Sequence, residues 1–284
     1  VEIAQGEEKT LVSGDLGNSP NPLLPDTEAV TGINYLIIES VYGDRLHEGR
    51  ERARDKLEDV IEETIRGGGT LLIPAFSLER TQELLAAISQ LMEESRIPLV
   101  PVFLDSPLAI KVTGIYQKYA PYLKAGQAGL FRFPQLRQTL TTEESRLIDE
   151  ASYPKIVIAG SGMSNGGRII HHEKRYLGNP NTTLLLVGFQ AVGSLGRLLQ
   201  EGAKAVKILG EAVQVKARVS TLTGYSAHPD LNGLMNFVGR TEDSLKKVFV
   251  VLGEPQASFY LAQRIRDYTG VAAVVPQPGE TALI

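Results

Sequence analysis

Short apolar runs of about five residues alternate with longer amphipathic stretches along almost the whole chain. That alternation permits little besides a layered α/β fold, with a largely parallel sheet buried between helices. Strands are expected at residues 10–12, 35–39, 70–74, 99–104, 155–159, 183–187, 205–209, 213–221, 247–252 and 271–275. Helices fall between them. Residues 54–65 place Leu57, Val60, Ile61 and Ile65 on one face. Residues 78–92 align Leu78, Leu84, Leu85, Ile88, Leu91 and Met92, and residues 255–268 align Phe259, Leu261 and Ile265. The Gly-, Pro- and Asn-rich segment 14–32 reads as an ordered loop. No long polar linker separates independent domains, so a second domain would be an insertion joined by short crossings.

Composition narrows the chemistry. None of the 284 residues is cysteine, so a transition-metal site must use histidine and carboxylate. The histidines are His47, His171, His172 and His228. A formal charge of −4 means that a polyanion would need a local basic groove. No apolar run is long enough to span a bilayer and no basic-then-apolar leader opens the chain, so no membrane partner and a cytoplasmic location are expected.

Four segments end strands and carry polar chemistry, where α/β folds tend to place ligands. In residues 10–17 (TLVSGDLG) an apolar strand ends at glycine-flanked Asp15, which reads either as a presented carboxylate or as an Asx turn. In residues 36–45 (LIIESVYGDR) Glu39 follows three apolar residues, at a position suited to proton transfer or to a salt bridge. Residues 156–168 (IVIAGSGMSNGGR) run from a strand through a glycine-rich loop towards a helix. Such a loop gathers backbone N–H groups on an anion, or is a plain tight turn; it is neither a Walker loop nor a dinucleotide fingerprint. His171 and His172 point to different sides of the following helix and do not readily share one metal. In residues 223–230 (TGYSAHPD) His228 stands before a helix start, as a proton carrier, a ligand or a structural residue.

Taken together in this order, the four segments resemble the β-CASP group of metallo-β-lactamase-fold RNA-processing nucleases. Ser13–Gly17 resembles the metallo-β-lactamase motif whose aspartate bridges two zinc ions. Glu39 in ESVYG matches the first β-CASP motif, and His228 in YSAHPD the second. Residues 161–167 look like the RNA-phosphate loop, and 74–80 (PAFSLER) and 105–107 (DSP) like parts of the inserted domain. The match is closest to prokaryotic members and is similar to the endonuclease of pre-mRNA 3′-end processing. The resemblance implies a partial αββα metallo-β-lactamase sandwich formed by residues 1–42 and 211–284, with a mostly parallel β-CASP α/β domain inserted at 43–210. It implies Asp15 as metal ligand, Glu39 and His228 as catalytic pair, and Ser161, Gly162, Met163, Ser164, Gly166, Gly167 and Arg168 as contacts to single-stranded RNA.

Two departures bear on activity. The family's H-x-H-x-D-H motif and a further histidine lie upstream of the SGDLG segment, whereas only twelve residues precede Ser13 here and none is histidine. The third β-CASP motif carries a ligand histidine in V-H-G-E; this chain reads VLGE at 251–254, with Leu252 at that position. A hydrocarbon side chain has no donor for zinc. Of the implied ligands, Asp15 alone is present. The expectation is a chain that lacks the N-terminal metal-binding segment, binds RNA weakly and zinc loosely, and is catalytically incomplete alone. The competing readings are a non-catalytic paralogue that binds RNA or a nuclease partner, and a hydrolase of small phosphorylated molecules, against which the inserted domain argues. Strands 35–39, 213–221 and 247–252 are expected to share an open apolar face, covered by another polypeptide or by self-association.

Overall fold

The apolar runs at 35–39, 70–74, 155–159 and 183–187 form strands with those bounds in the computed structural model, which describes residues 1–124, 129 and 131–282. In chain order the elements begin with β1 (Glu2–Gln5), β2 (Glu8–Val12), β3 (Tyr35–Glu39), α1 (Arg50–Arg66), β4 (Thr70–Pro74) and α2 (Arg80–Glu93). Next come β5 (Val102–Asp105), α3 (Pro107–Lys118), β6 (Leu136–Gln138), α4 (Thr142–Glu150), β7 (Lys155–Ala159), α5 (Ile169–Tyr176) and β8 (Thr183–Val187). The last are α6 (Leu195–Gln200), β9 (Ala205–Ile208), β10 (Glu211–Gln214), β11 (Arg218–Leu222), α7 (Leu231–Gly239), β12 (Lys247–Val251), α8 (Pro255–Thr269) and β13 (Ala272–Val274). No helix among the described residues is long and apolar enough to cross a membrane.

The chain divides into two compact units. The first comprises Val1–Asn21, Pro25–His47 and Ala227–Ile284, and the second Pro22–Leu24 and Glu48–Ser226.

The first unit is built on a five-stranded sheet in the order β1-β2-β3-β12-β13, parallel except for the β1–β2 hairpin. Side chains alternate across a strand, so Leu11, Leu36, Ile38, Val248, Val250 and Ala273 share one face. They are buried with Leu234, Phe237 and Val238 of α7 and with Leu261, Ala262 and Ile265 of α8. Each fully buried Leu or Ile contributes about 1.5–3 kcal/mol. Pro255 at the first position of α8 and left-handed Gly270 after its last turn bound that helix. Phe259, expected on its buried stripe, is 55% exposed, because it lies two positions from Leu261 and so on the opposite side. The other sheet face carries Val12, Tyr35, Ile37, Val251 and Val274, all half-buried, with Phe249; none of these joins the unit's buried cluster.

The second unit holds a six-stranded, all-parallel sheet in the order β11-β8-β4-β7-β5-β6, with a separate β9–β10 hairpin. Strands β4, β7 and β8 are buried along their whole length because both faces are covered. Leu71, Ile73, Ile156 and Ile158 pack with Leu57 and Ile61 of α1 and Leu84 and Ile88 of α2. Leu72, Val157 and Leu184 pack on the other side with Ile169 of α5 and Leu199 of α6.

Three further expectations need correction. Residues 213–221 fall in two strands, and β11 joins β8 in this second sheet, so of the three segments expected to share a face only β3 and β12 do. Strand β5 starts at Val102, since Pro98 and Pro101 interrupt the preceding run and Leu99 is 67% exposed. Helix α2 starts at Arg80, leaving Leu78 in the exposed turn before it.

Candidate functional sites in the two units

In the first unit, the parallel pairing of β2 with β3 brings their C-terminal ends together. Beyond β2, the Ser13 N–H donates to the Ile37 carbonyl at 2.9 Å and the Ser13 hydroxyl accepts the Glu39 N–H at 3.1 Å. Left-handed Gly14 then turns the chain and leaves Asp15 exposed. Glu39, the last residue of β3, is fully buried: its Oε1 accepts the Leu16 N–H at 2.7 Å and its Oε2 accepts from His228 Nδ1 at 2.7 Å. His228 is carried to that point by the segment before α7. That helix is capped by Asp230, whose carboxylate accepts the Gly233 and His47 N–H groups. The ring of His47 donates through Nε2 to the His228 carbonyl at 2.9 Å, a second brace on the same residue.

Asp15, Glu39 and His228 thus form one cluster, with a ligand atom of each within 4.8 Å of the others. The donors are the carboxylate oxygen and imidazole nitrogen that zinc accepts. Their number falls short. Both Glu39 oxygens are engaged by Leu16 and His228, whereas a catalytic zinc ordinarily takes three protein ligands. Leu252 follows β12 as an exposed residue with φ +61°, a left-handed conformation disfavoured for a branched side chain.

In the second unit, β4, β7 and β5 lie side by side and end together. Beyond them stand Ser77, Asp105, Ser106 and the glycine-rich loop, which border an open recess of about 400 Å³. The loop is tightly closed. Ser161 N–H donates to Gly166 O at 3.0 Å, Gln190 Nε2 to Gly162 O at 3.0 Å, and Gly196 N–H to Met163 O at 3.0 Å. A Cβ on Gly162 would meet the Phe76 ring at 2.6 Å, and one on Gly167, at φ +70°, the Gly160 carbonyl at 2.3 Å. Ser164, in contrast, is buried beneath the loop. The Arg168 guanidinium is turned inward. It donates to Asp105 Oδ1 at 2.7 Å and to the carbonyls of Thr139 at 2.9 Å and Leu140 at 2.8 Å.

Asp105, noted in the sequence only within the DSP segment, was not among the expected site residues. It is fully buried, and besides Arg168 it accepts from His172 Nε2 (2.7 Å), Ser145 Oγ (2.6 Å) and Thr139 Oγ1 (2.6 Å). Burial pushes its carboxyl up, but donation from His172, Ser145, Thr139 and Arg168 outweighs that and holds it at about 2. Its position directly after an apolar strand, like that of Glu39, was the available signal. His171 is exposed and His172 is committed to Asp105, so the two do not converge.

Two family models match the chain: the Beta-Casp domain over residues 81–199, and the Zn-dependent metallo-hydrolase RNA specificity domain over residues 212–276. Ribonuclease TTHA0252 of Thermus thermophilus is 40% identical over 83% of this chain and 56% of its own length. Transcription termination factor FttA of Pyrococcus horikoshii is 30% identical over 99% of the chain and 45% of its own length. An RNase J-like protein of Methanocaldococcus jannaschii is 31% identical over 95% and 64%. The chain spans about half the length of the curated relatives it matches. With an α/β architecture in which one unit interrupts the other, and both family models in sequence, the chain belongs to the β-CASP family of metallo-β-lactamase-fold RNA-processing nucleases.

Proposed function

We propose that the chain serves phosphodiester hydrolysis of single-stranded RNA. The observation that carries this reading is the 2.7 Å contact between buried Glu39 and His228 in a cluster with Asp15. Glu39 orients the ring, and His228 is the general acid that protonates the leaving oxygen, a role worth ~10²–10⁴ in rate. Asp15 is the residue here that would hold zinc, which when bound lowers the pKa of its water. The glycine-rich loop, from Ser161 to Gly167, holds a phosphate through backbone N–H groups. With its guanidinium committed to Asp105, Arg168 braces that loop. On this reading residues 43–210 are the β-CASP domain, and 1–42 with 211–284 belong to the metallo-β-lactamase part, in keeping with models matching at 81–199 and 212–276.

With a partial ligand set, this chain by itself binds RNA weakly, binds zinc loosely and cleaves negligibly. Equilibrium dialysis against zinc, with a cleavage assay on labelled RNA, tests this. Tight stoichiometric zinc or zinc-dependent cleavage would refute the incompleteness, and no RNA binding at any salt concentration would refute the substrate. A second reading, a non-catalytic subunit that binds RNA or a nuclease partner, is favoured by Leu252, which offers no donor. Under either reading, the half-buried face of Val12, Ile37 and Val251 is covered by a partner polypeptide or a second copy.

A further inference from the structure

The glycine-rich loop rests on two buried carboxyl groups that differ sharply in their partners. Asp105 has four donors, close to the full capacity of a carboxylate. Glu173, on α5, is equally buried but has one: the Ser164 hydroxyl donates to its Oε1 at 2.5 Å. Its Oε2 is buried with no hydrogen-bond partner among the described residues. A carboxylate so poorly solvated is far more costly than a neutral carboxyl in the same place. Ser164 itself is 1% exposed and has φ +58°. A serine is disfavoured in that left-handed conformation and needs outside support to remain there. Its N–H closes a turn on the Ser161 carbonyl at 3.2 Å, so its position sets that of the loop.

We propose that Glu173 is a positioning residue for the glycine-rich loop: as a buried neutral acid it anchors left-handed Ser164, and loss of its proton releases the loop. Burial pushes the Glu173 carboxyl up to about 8, against a smaller opposing effect of the Ser164 bond. Among the described residues no neighbouring charge contributes to that shift. On α5 itself, His171 is exposed, His172 is bound to Asp105, Lys174 pairs with Glu211, Arg175 pairs with Asp149, and Tyr176 donates to Asp149. Arg168, before the helix, is held by Asp105. Strand β4, packed on α5, has no titratable residue, and the one charged residue of α6, Arg197, pairs with Glu201. Once ionised, Glu173 gains solvation only if water reaches Oε2, which requires the Ser164 segment to move. The loop's N–H groups then cease to converge on a phosphate.

The consequence for RNA rests on the proposed role of the loop in holding a phosphate. The full chain is titrated with a labelled oligoadenylate, whose bases lose no proton in the range, between pH 6 and 9.5. Affinity should be level to pH 7 and about tenfold weaker at pH 9, following one ionisation. E173Q, a neutral isostere, should bind at pH 7 as the wild type does and keep that affinity at pH 9. A flat wild-type profile, or an alkaline loss that persists in E173Q, overturns the proposal. Carbon-detected NMR of the wild type reads the same event without RNA or a variant. The Glu173 carboxyl and Ser164 Cβ should shift together with a midpoint near 8. If they do so while the chain binds no RNA, the RNA reading fails and the positioning role stands. If Ser164 does not follow Glu173, the positioning role fails whatever the RNA result.

Discussion

Replacing Asp105 by asparagine should be among the most destabilising single changes in the second unit, and its cost should depend on pH. The carboxyl is held at about 2 against an ordinary 3.8. At 1.36 kcal/mol per pKa unit, that difference is worth about 2–3 kcal/mol. Asparagine also turns an N–H₂ group towards one of two donor pairs, either His172 with Ser145 or Arg168 with Thr139. Breaking a buried ion pair by removing one partner costs roughly 3–5 kcal/mol, and the full loss should fall in that range. The sign of the pH dependence follows from a depressed pKa. The contribution is complete above 3.8 and is lost as pH falls through about 2. Urea dependence of hydrogen exchange in peptides covering β5 and β7 reads this unit alone. The gap between wild type and D105N should be widest at neutral pH and should close between about pH 4 and 2. A gap under about 1 kcal/mol at pH 7, or one that stays constant into acid, would refute the argument that four donors stabilise a buried charge here.

Three further outcomes follow from the geometry. Leu252→Gly removes an exposed branched side chain from φ +61° and should stabilise the first unit by about 0.5–1 kcal/mol, read as a higher urea midpoint at unchanged slope. Gly69→Ala should destabilise by about 2–3 kcal/mol or more, because its Cβ would lie 1.7 Å from the Asn181 carbonyl oxygen, which is backbone and cannot swing aside; thermal unfolding measures it. Leu261→Ala should cost about 2–5 kcal/mol by emptying a fully buried position between α8 and the first sheet, measured by urea unfolding.

Strands buried on both faces were legible in the sequence because nothing but an apolar run can occupy them; β4, β7 and β8 have the expected bounds. Strands β1 and β6 were not: β1 is exposed throughout and β6 nearly so, and polar edge residues carry no period to read. The break between β10 and β11 was hidden for another reason. Residues 213–221 alternate as one strand would, and only the return of β10 onto β9 divides them. Asp15, Glu39 and His228 stood out because each follows an apolar strand or precedes a helix, and parallel pairing gathers such ends at one edge. The partners of Asp105 lie as far off as His172, 67 residues along the chain, and no local pattern connects them. Glu173 is hidden most completely. A glutamate next to Lys174 on a short helix reads as solvent-facing, and only the burial of Ser164 reveals otherwise.

The pairing of β3 with β12 also sets an order of events on the ribosome. Tyr35 lies opposite Lys247, so the first forty-odd residues must wait for roughly two hundred more to be synthesised before their central neighbour exists. Throughout that interval β3 has an unoccupied edge, while every strand of the second unit is already complete by Leu222. A nascent chain from which residues up to about 230–245 have left the ribosome should therefore hold a protease-resistant second unit preceded by a cleavable β1–β3 arm. That arm, rather than the finished protein, is where chaperones and proteases have their longest opportunity to act.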